Sequence, residues 1–190
     1  DTIGTTSTIN NILAGDYVLH AAYSGINGCT TVDTLTIFEN ALIQSNPIIT
    51  DVSCNGSSDG EIVLSTGGGT PPYTYIWNNG QVSQTATVLS AGAYSVAITD
   101  ASGCVVTESY YVDQPNSLVA TVSASQTYIL NALAAGGTLP YSYQWYSGSG
   151  TLISGATSDN YIVGTNGTYY VEITDANNCN TTSNSILFNE

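Results

Sequence analysis

The residues whose chemistry is easiest to name are four cysteines, Cys29, Cys54, Cys104 and Cys179. Three of them recur at intervals of 75 and 75 residues, each closing a similar phrase. The phrases are "LAGDYVLHAAYSGINGC", "LSAGAYSVAITDASGC" and "NGTYYVEITDANNC". Cys54 stands outside that series, early in the second copy. Cysteines spaced so widely read as disulfide partners in an exported protein rather than as a metal cluster. Zinc would need clustered Cys and His, and the single histidine, His20, is remote in sequence from most of the thiols. Cys54 and Cys104, early and late in one copy, are expected to pair. Closing that loop would constrain the unfolded chain by about 4 kcal/mol. Cys29, late in the first copy, expects a partner before Asp1. Where the second copy has Cys54 in "VSCN", the third has Ala124 in "VSAS". Cys179 is therefore expected to stay unpaired or to pair outside these residues.

Other candidate chemistry is sparse. "NGSSDGE", Asn55 to Glu61, sets oxygen ligands at Asn55, Ser57 and Asp59 with a glycine at the sixth place, like the first half of a calcium loop. Its twelfth place is Thr66 rather than Glu, and a turn rich in turn formers is the plainer reading. Weak Ca²⁺ association is the one cofactor these residues suggest. With His20 alone, no Ser–His–Asp or Cys–His site assembles. Nothing places two of the 14 carboxylates in one cleft for glycoside hydrolysis. No catalytic residue, and no enzyme activity, is expected. Tyr73, Tyr75 and Trp77 alternate, as do Tyr141, Tyr143 and Trp145, so each set faces one side of a strand. Such a row stacks on sugar rings or fills a core, and the recurring tryptophan favours the core. Tyr111 and Tyr146 are the candidates for exposed sugar contacts.

These side chains must be positioned by a repeating scaffold. The landmark "PPYTYIW" ends at Trp77 and "LPYSYQW" at Trp145, 68 residues on. The third copy thus lost residues early and gained a loop after its tryptophan. A period near 75 suits a small domain in tandem rather than a solenoid repeat. The expected division is residues 1–45 as the later half of one repeat, 46–116 as a complete repeat and 117–190 as a divergent one. A half domain cannot close its own core. The chain therefore reads as a stretch of a longer protein.

Runs such as "EIVLSTGGG", "YTYIWNNG" and "YYVEITDANN" alternate apolar and polar residues and end in Gly, Asn, Asp or Ser. Period-two runs of this length between turn signals predict antiparallel strands in a sandwich. The fold class expected is all-β, in tandem immunoglobulin-like or PKD-like sandwiches. Tyr17, Tyr94 and Tyr169 follow a turn as a tyrosine corner does, with the hydroxyl bonding back to backbone. Asp100 and Asp175 open hairpin turns.

The chain has no Lys and no Arg against 14 acidic residues, for a formal net charge of −14. Phosphate recognition needs cations, so a nucleic-acid partner is excluded, and so is a direct grip on acidic lipid. A protease that cuts after Lys or Arg has no site. No signal peptide or membrane-spanning segment is seen.

The second copy, "VSCNGSSDGEIVLSTGGGTPPYTYIWNNG" followed by "LSAGAYSVAITDASGCVVTESYYVDQP", closely resembles the SprB-type repeat of very large surface adhesins of Bacteroidota. The later half of the first copy resembles it too. The third copy departs: "YSYQWYSGSGTLISGATSDNYIV" is more like the immunoglobulin-like or PKD-like domains of such proteins. The resemblance implies an extracellular, cell-surface protein delivered by the type IX secretion route, including the adhesins of gliding bacteria. In that setting the sequons at Asn55, Asn166 and Asn180 are accidental. "DTI" at Thr2 and "DTL" at Thr34 resemble the O-glycosylation signal of the same phylum, though Thr34 also suits an outward strand position.

The function expected is a structural stalk or filament segment of a giant adhesin. Its partners are neighbouring repeats of the same chain, identical chains alongside, or surface glycans, with no direct membrane insertion. The alternative is a carbohydrate-binding accessory module of a secreted polysaccharide-degrading enzyme.

Overall fold

A computed structural model describes residues 8–22, 30–126, 128–148 and 150–189. Among them every regular element is a strand. A hairpin comes first: β1 (Gly15–Ala22) and β2 (Thr30–Ile37). Six strands follow: β3 (Gln44–Thr50), β4 (Gly60–Gly67), β5 (Thr74–Trp77), β6 (Thr85–Leu89), β7 (Gly92–Thr99) and β8 (Val105–Val112). The rest are β9 (Val119–Gln126), β10 (Ile129–Ala135), β11 (Ser142–Ser147), β12 (Asn160–Ile162), β13 (Gly167–Thr174), β14 (Asn180–Thr182) and β15 (Ile186–Phe188). No described helix is long and apolar enough to cross a membrane.

Strands β3 to β8 form two antiparallel sheets, ordered β3-β4-β6 and β5-β7-β8. In immunoglobulin lettering these are A-B-E and C-F-G, the immunoglobulin-like order without a D strand. Strands β9 to β15 repeat it: β9, β10 and β12 make one sheet, and β11, β13 and β14 with β15 make the other. Here the G strand is broken in two, and both pieces pair with β13. After Trp145 the described residues 150–159 lead into β12, which is only three residues long.

Alternation decides which side chains meet between the sheets. In β7, Val96 and Ile98 are fully buried, and Tyr75 and Trp77 of β5 lie against them with Ile62 and Leu64 of β4. The second sandwich buries Trp145, Val171, Ile173 and Leu130 in the same way. Each indole N–H donates to a backbone carbonyl at 2.9 Å, Trp77 to Ser83 and Trp145 to Ser158. The aromatic rows therefore fill cores, with no buried indole N–H left unpaired. All three tyrosine corners close: Tyr17 donates to Leu13 O (2.6 Å), Tyr94 to Ser90 O (2.9 Å) and Tyr169 to Thr165 O (2.8 Å).

The first hairpin differs. Its register matches that of β7 and β8: Gly15 faces Ile37 and Tyr17 faces Leu35, as Gly92 faces Val112 and Tyr94 faces Tyr110. Its register is that of an F–G pair. Yet Leu19 and Leu35 on its core-type face are 61% and 60% exposed, and neither hydrophobic cluster includes a hairpin residue.

Truncating a fully buried indole leaves a large cavity, so Trp77→Ala should cost about 3–5 kcal/mol in urea unfolding followed by circular dichroism. A loss below about 1 kcal/mol would show that Trp77 is not a core residue.

Candidate functional site

The place where chemistry and architecture coincide is the junction between the two sandwiches. It is assembled from two loops and one linker. The first loop joins β3 to β4 and carries Cys54. It is pinned to the far end of β8. Val52 N–H donates to Asp113 O (3.1 Å), Asn55 Nδ2 to Pro115 O (3.0 Å) and Gly56 N–H to Gln114 Oε1 (2.9 Å). Asp59 braces it internally, its Oδ1 accepting the N–H of Ser53 at 3.0 Å. Of the calcium-like residues, Asn55 grips the linker and Asp59 holds Ser53. Among the described residues no group of three or more His, Cys, Asp or Glu is gathered closely enough to hold a metal ion.

The second loop is the β13–β14 hairpin of the following sandwich. Asp175 is 5% exposed, and it organises that hairpin. Its Oδ1 accepts the N–H groups of Asn177 and Cys179, both at 2.9 Å. Its Oδ2 accepts the N–H of Thr138, at 2.8 Å, from the loop after β10. Burial pushes the Asp175 carboxyl up, but the donated N–H bonds of Thr138, Cys179 and Asn177 outweigh it and hold the group below its ordinary 3.8. Gly137 allows this arrangement. Its φ is +61°, and a Cβ there would come within 2.7 Å of Asp175 Oδ2.

The two loops meet covalently. Cys54 and Cys179 form a disulfide with Cα atoms 5.7 Å apart, across 125 residues of sequence. Beside it Asn177 Nδ2 donates to Ser53 O at 2.9 Å, a second tie between the sandwiches. The expected Cys54–Cys104 bridge is not formed, and Cys104 is free and exposed. Geometry is the reason. The Cys54 loop is bonded to residues 113–115, past the end of β8, whereas Cys104 precedes its start. Eight residues of strand put those ends about 26 Å apart, far beyond the reach of one disulfide. Cys179, expected to be unpaired or paired elsewhere, is instead the partner of Cys54. Cys29 and Thr2 lie outside the described residues.

The remaining candidates sit on outer surfaces. Tyr111 is 61% exposed on β8. Tyr146 is half-buried and stacks on Tyr170, with ring centroids 5.2 Å apart and planes 8° from parallel. Burial raises the Tyr146 phenol, and the neighbouring Glu172 raises it further. Thr34 is exposed on β2, its N–H bonded to Asp33 Oδ1 at 2.9 Å.

The segment that carries Cys54 and its anchoring loop has a recognisable relative. Residues 46–82 match the SprB repeat. The match covers most of β3 and all of β4 and β5 of the first sandwich and so contains one half of the bridge, while Cys179 lies outside it. No curated protein matches the chain. Among solved structures, a Dscam isoform-specificity structure aligns with 13% identity and a TM-score of 0.35, over 85% of this chain and 51% of that one. Murine CEACAM1b aligns with 11% identity and a TM-score of 0.34, over 77% and 99%. Extracellular domains 3–5 of Drosophila OTK align with 11% identity and a TM-score of 0.34, over 93% and 72%. This chain thus spans about half of the Dscam chain. The immunoglobulin-like assignment rests on the strand order above.

Two measurements check the junction. In a non-reducing peptide map, Cys54 and Cys179 should appear linked to each other. A Cys54–Cys104 link would contradict the junction. The second measurement concerns Asp100 and Asp175. Backbone N–H donors, that of Thr70 foremost, also hold Asp100 below 3.8. Both carboxyls have lower values folded than unfolded. Their stabilisation is therefore complete above 3.8 and is lost as pH falls through the lower folded values. Asp175→Asn should lower the melting temperature at neutral pH and should lose less than the parent on further acidification. Equal acid losses in the two proteins would remove Asp175 from this role.

Proposed function

We propose that this chain is a structural segment of a long cell-surface adhesin, a stalk whose consecutive sandwiches are locked to one another. The observation that carries this reading is the Cys54–Cys179 bridge between two sandwiches. A bridge within one sandwich stabilises that sandwich and leaves the linker free to hinge. A bridge between sandwiches restrains the six-residue linker 113–118 and both facing poles at once. Its persistence needs an oxidising setting, which supports a location outside the cell. The SprB repeat match over residues 46–82 supports a surface adhesin as the parent, and surface attachment, including the adhesion that gliding needs, as its use. The absence of Lys and Arg suits a long exposed segment, since trypsin-like proteases find no site in it. Neighbouring repeats are its first partners. Exposed Tyr111 is the residue through which a surface glycan would be held if adhesion is spread along the array.

Under tension the bridge has a definite consequence. A pull on the two ends travels along the backbone to Cys54, across the sulfur–sulfur bond, and onward from Cys179. Residues 55–178 lie inside the closed loop and add nothing to the length, even if they unfold. In single-molecule stretching past unfolding, adding a reductant should therefore release about 410–450 Å of new contour, because the freed loop of 125 residues extends by about 3.3–3.6 Å per residue. Equal extension with and without reductant would overturn the stalk reading.

A further inference from the structure

The chain contains two junctions of the same construction, and only one of them is bridged. Residues 38–43 lead from β2 into β3, and residues 113–118 lead from β8 into β9. At the first, Gly69 N–H donates to Ala41 O at 2.6 Å; at the second, Gly137 N–H donates to Asn116 O at 2.8 Å. A Cβ on Gly68 would come within 2.0 Å of Leu42 O, and one on Gly136 within 2.0 Å of Ser117 O. Asp100 holds the N–H groups of Thr70, Ser102 and Cys104 at 2.9, 2.9 and 2.8 Å. Asp175 holds those of Thr138, Asn177 and Cys179 in the same pattern. Cys104 and Cys179 are therefore presented alike, each at the pole where its sandwich receives the chain from the one before.

At the second junction that pole receives the A–B loop of the preceding sandwich, and with it Cys54. At the first junction the Cys104 thiol is exposed beside a shallow pocket lined by Asn40, Leu42, Asp100 and Val105 among others. A second observation points to the same occupant. β1 and β2 are the F and G strands of a sandwich, and Leu19 and Leu35 on their core-type face have no opposing sheet among the described residues. An A–B–E sheet would cover that face. Its A–B loop would then stand where Ser53 and Cys54 stand at the second junction.

We propose that Cys104 is the hairpin half of a second inter-sandwich disulfide. Its partner is a cysteine in the A–B loop of the sandwich that β1 and β2 complete. The proposal rests on the tandem reading above and extends the single bridge to a repeating one. The bond forms by thiol–disulfide exchange with a disulfide-bearing oxidoreductase. The Cys104 thiolate attacks the oxidant's disulfide and expels one of its sulfurs as a thiolate. The partner cysteine's thiolate then attacks the Cys104 sulfur of the mixed disulfide and displaces the oxidant. The two protein thiols give up two electrons and two protons, and the oxidant leaves as a dithiol.

The test is a disulfide map of the polypeptide taken from its own cells. Thiols are blocked with iodoacetamide before lysis, and the protein is digested without reduction by chymotrypsin, since trypsin has no site in these residues. The Cys54–Cys179 pair is the internal control for the stalk reading and is scored separately. The expected result is a Cys104 peptide linked to a cysteine peptide from outside these 190 residues, in the loop between the first two strands of a sandwich. Recovery of Cys104 as the alkylated thiol overturns the proposal. So does its linkage to Cys29, or to a cysteine in a hairpin rather than an A–B loop.

Discussion

The carboxylate of Asp175 is the constraint on which the junction depends. It gathers one backbone N–H from the loop after β10 and two from the β13–β14 hairpin, and one of those two belongs to Cys179 itself. The bonded sulfur thus lies three bonds from the main-chain nitrogen that the carboxylate holds. Asp100 does the same for Cys104 with the corresponding donors, Thr70, Ser102 and Cys104. Among the described residues backbone N–H groups are the donors to Asp175, and the chain has no Lys or Arg to form an ion pair. A buried carboxylate in such a chain must be satisfied by N–H groups or it would protonate. That requirement explains the glycine pairs before it. Gly69 and Gly137 adopt positive φ, and a side chain on either would collide with the carboxylate it faces.

The same absence of cations shapes the sandwiches. Beyond the two buried carboxylates, stability falls to apolar burial and to neutral hydrogen bonds: indole N–H to carbonyl, phenol to carbonyl, amide side chain to strand edge. Asn184 shows the last of these, pairing with both the N–H and the C=O of Val122 at 2.9 and 3.2 Å and so tying the broken G strand to the opposite sheet. With 14 carboxylates and no basic residue but His20, mutual repulsion works against compaction at neutral pH. A covalent tie across 125 residues counters this by confining the unfolded ensemble, an effect of about 5 kcal/mol on the chain-entropy account.

Much of this was legible in the residues. Strand alternation placed Trp77 and Trp145 in the cores, and the turn-to-tyrosine spacing gave Tyr17, Tyr94 and Tyr169 their backbone partners. The bridge was not legible from a reading confined to one copy. Early and late positions in a repeat say nothing about poles. Cys54 and Cys104 stand about one strand length apart because β8 runs uninterrupted between them, and "VVTESYYV" already reads as one such strand. A further signal lay in the cysteine inventory. Three late cysteines and one early one cannot pair copy by copy, whereas pairing the early cysteine of one copy with the late cysteine of the next uses Cys54 and Cys179 together. Under that offset rule Ala124 needs no compensation in its own copy. The Asp175 carboxylate was visible only as a turn former, since its third donor, Thr138, is distant in sequence.

Offset pairing also changes what a weak domain can do. Each sandwich is small, and a sandwich of this size held by its core alone has a stability of only several kcal/mol, which sustained tension tilts toward unfolding. If Cys54 were bonded inside its own sandwich, a pull would still extend every linker and every unbridged strand. Bonded to the next sandwich, it moves the covalent path off the fold, so that residues 55–178 can open locally and reclose without lengthening the chain. Mechanical integrity then depends on the sulfur–sulfur bond and on the two loops that present it, not on the depth of either core. That is why the polar precision of this protein is concentrated at the poles. The Asn55, Gly56 and Val52 contacts and the Asp175 donor set fix the two loops whose register the bridge requires.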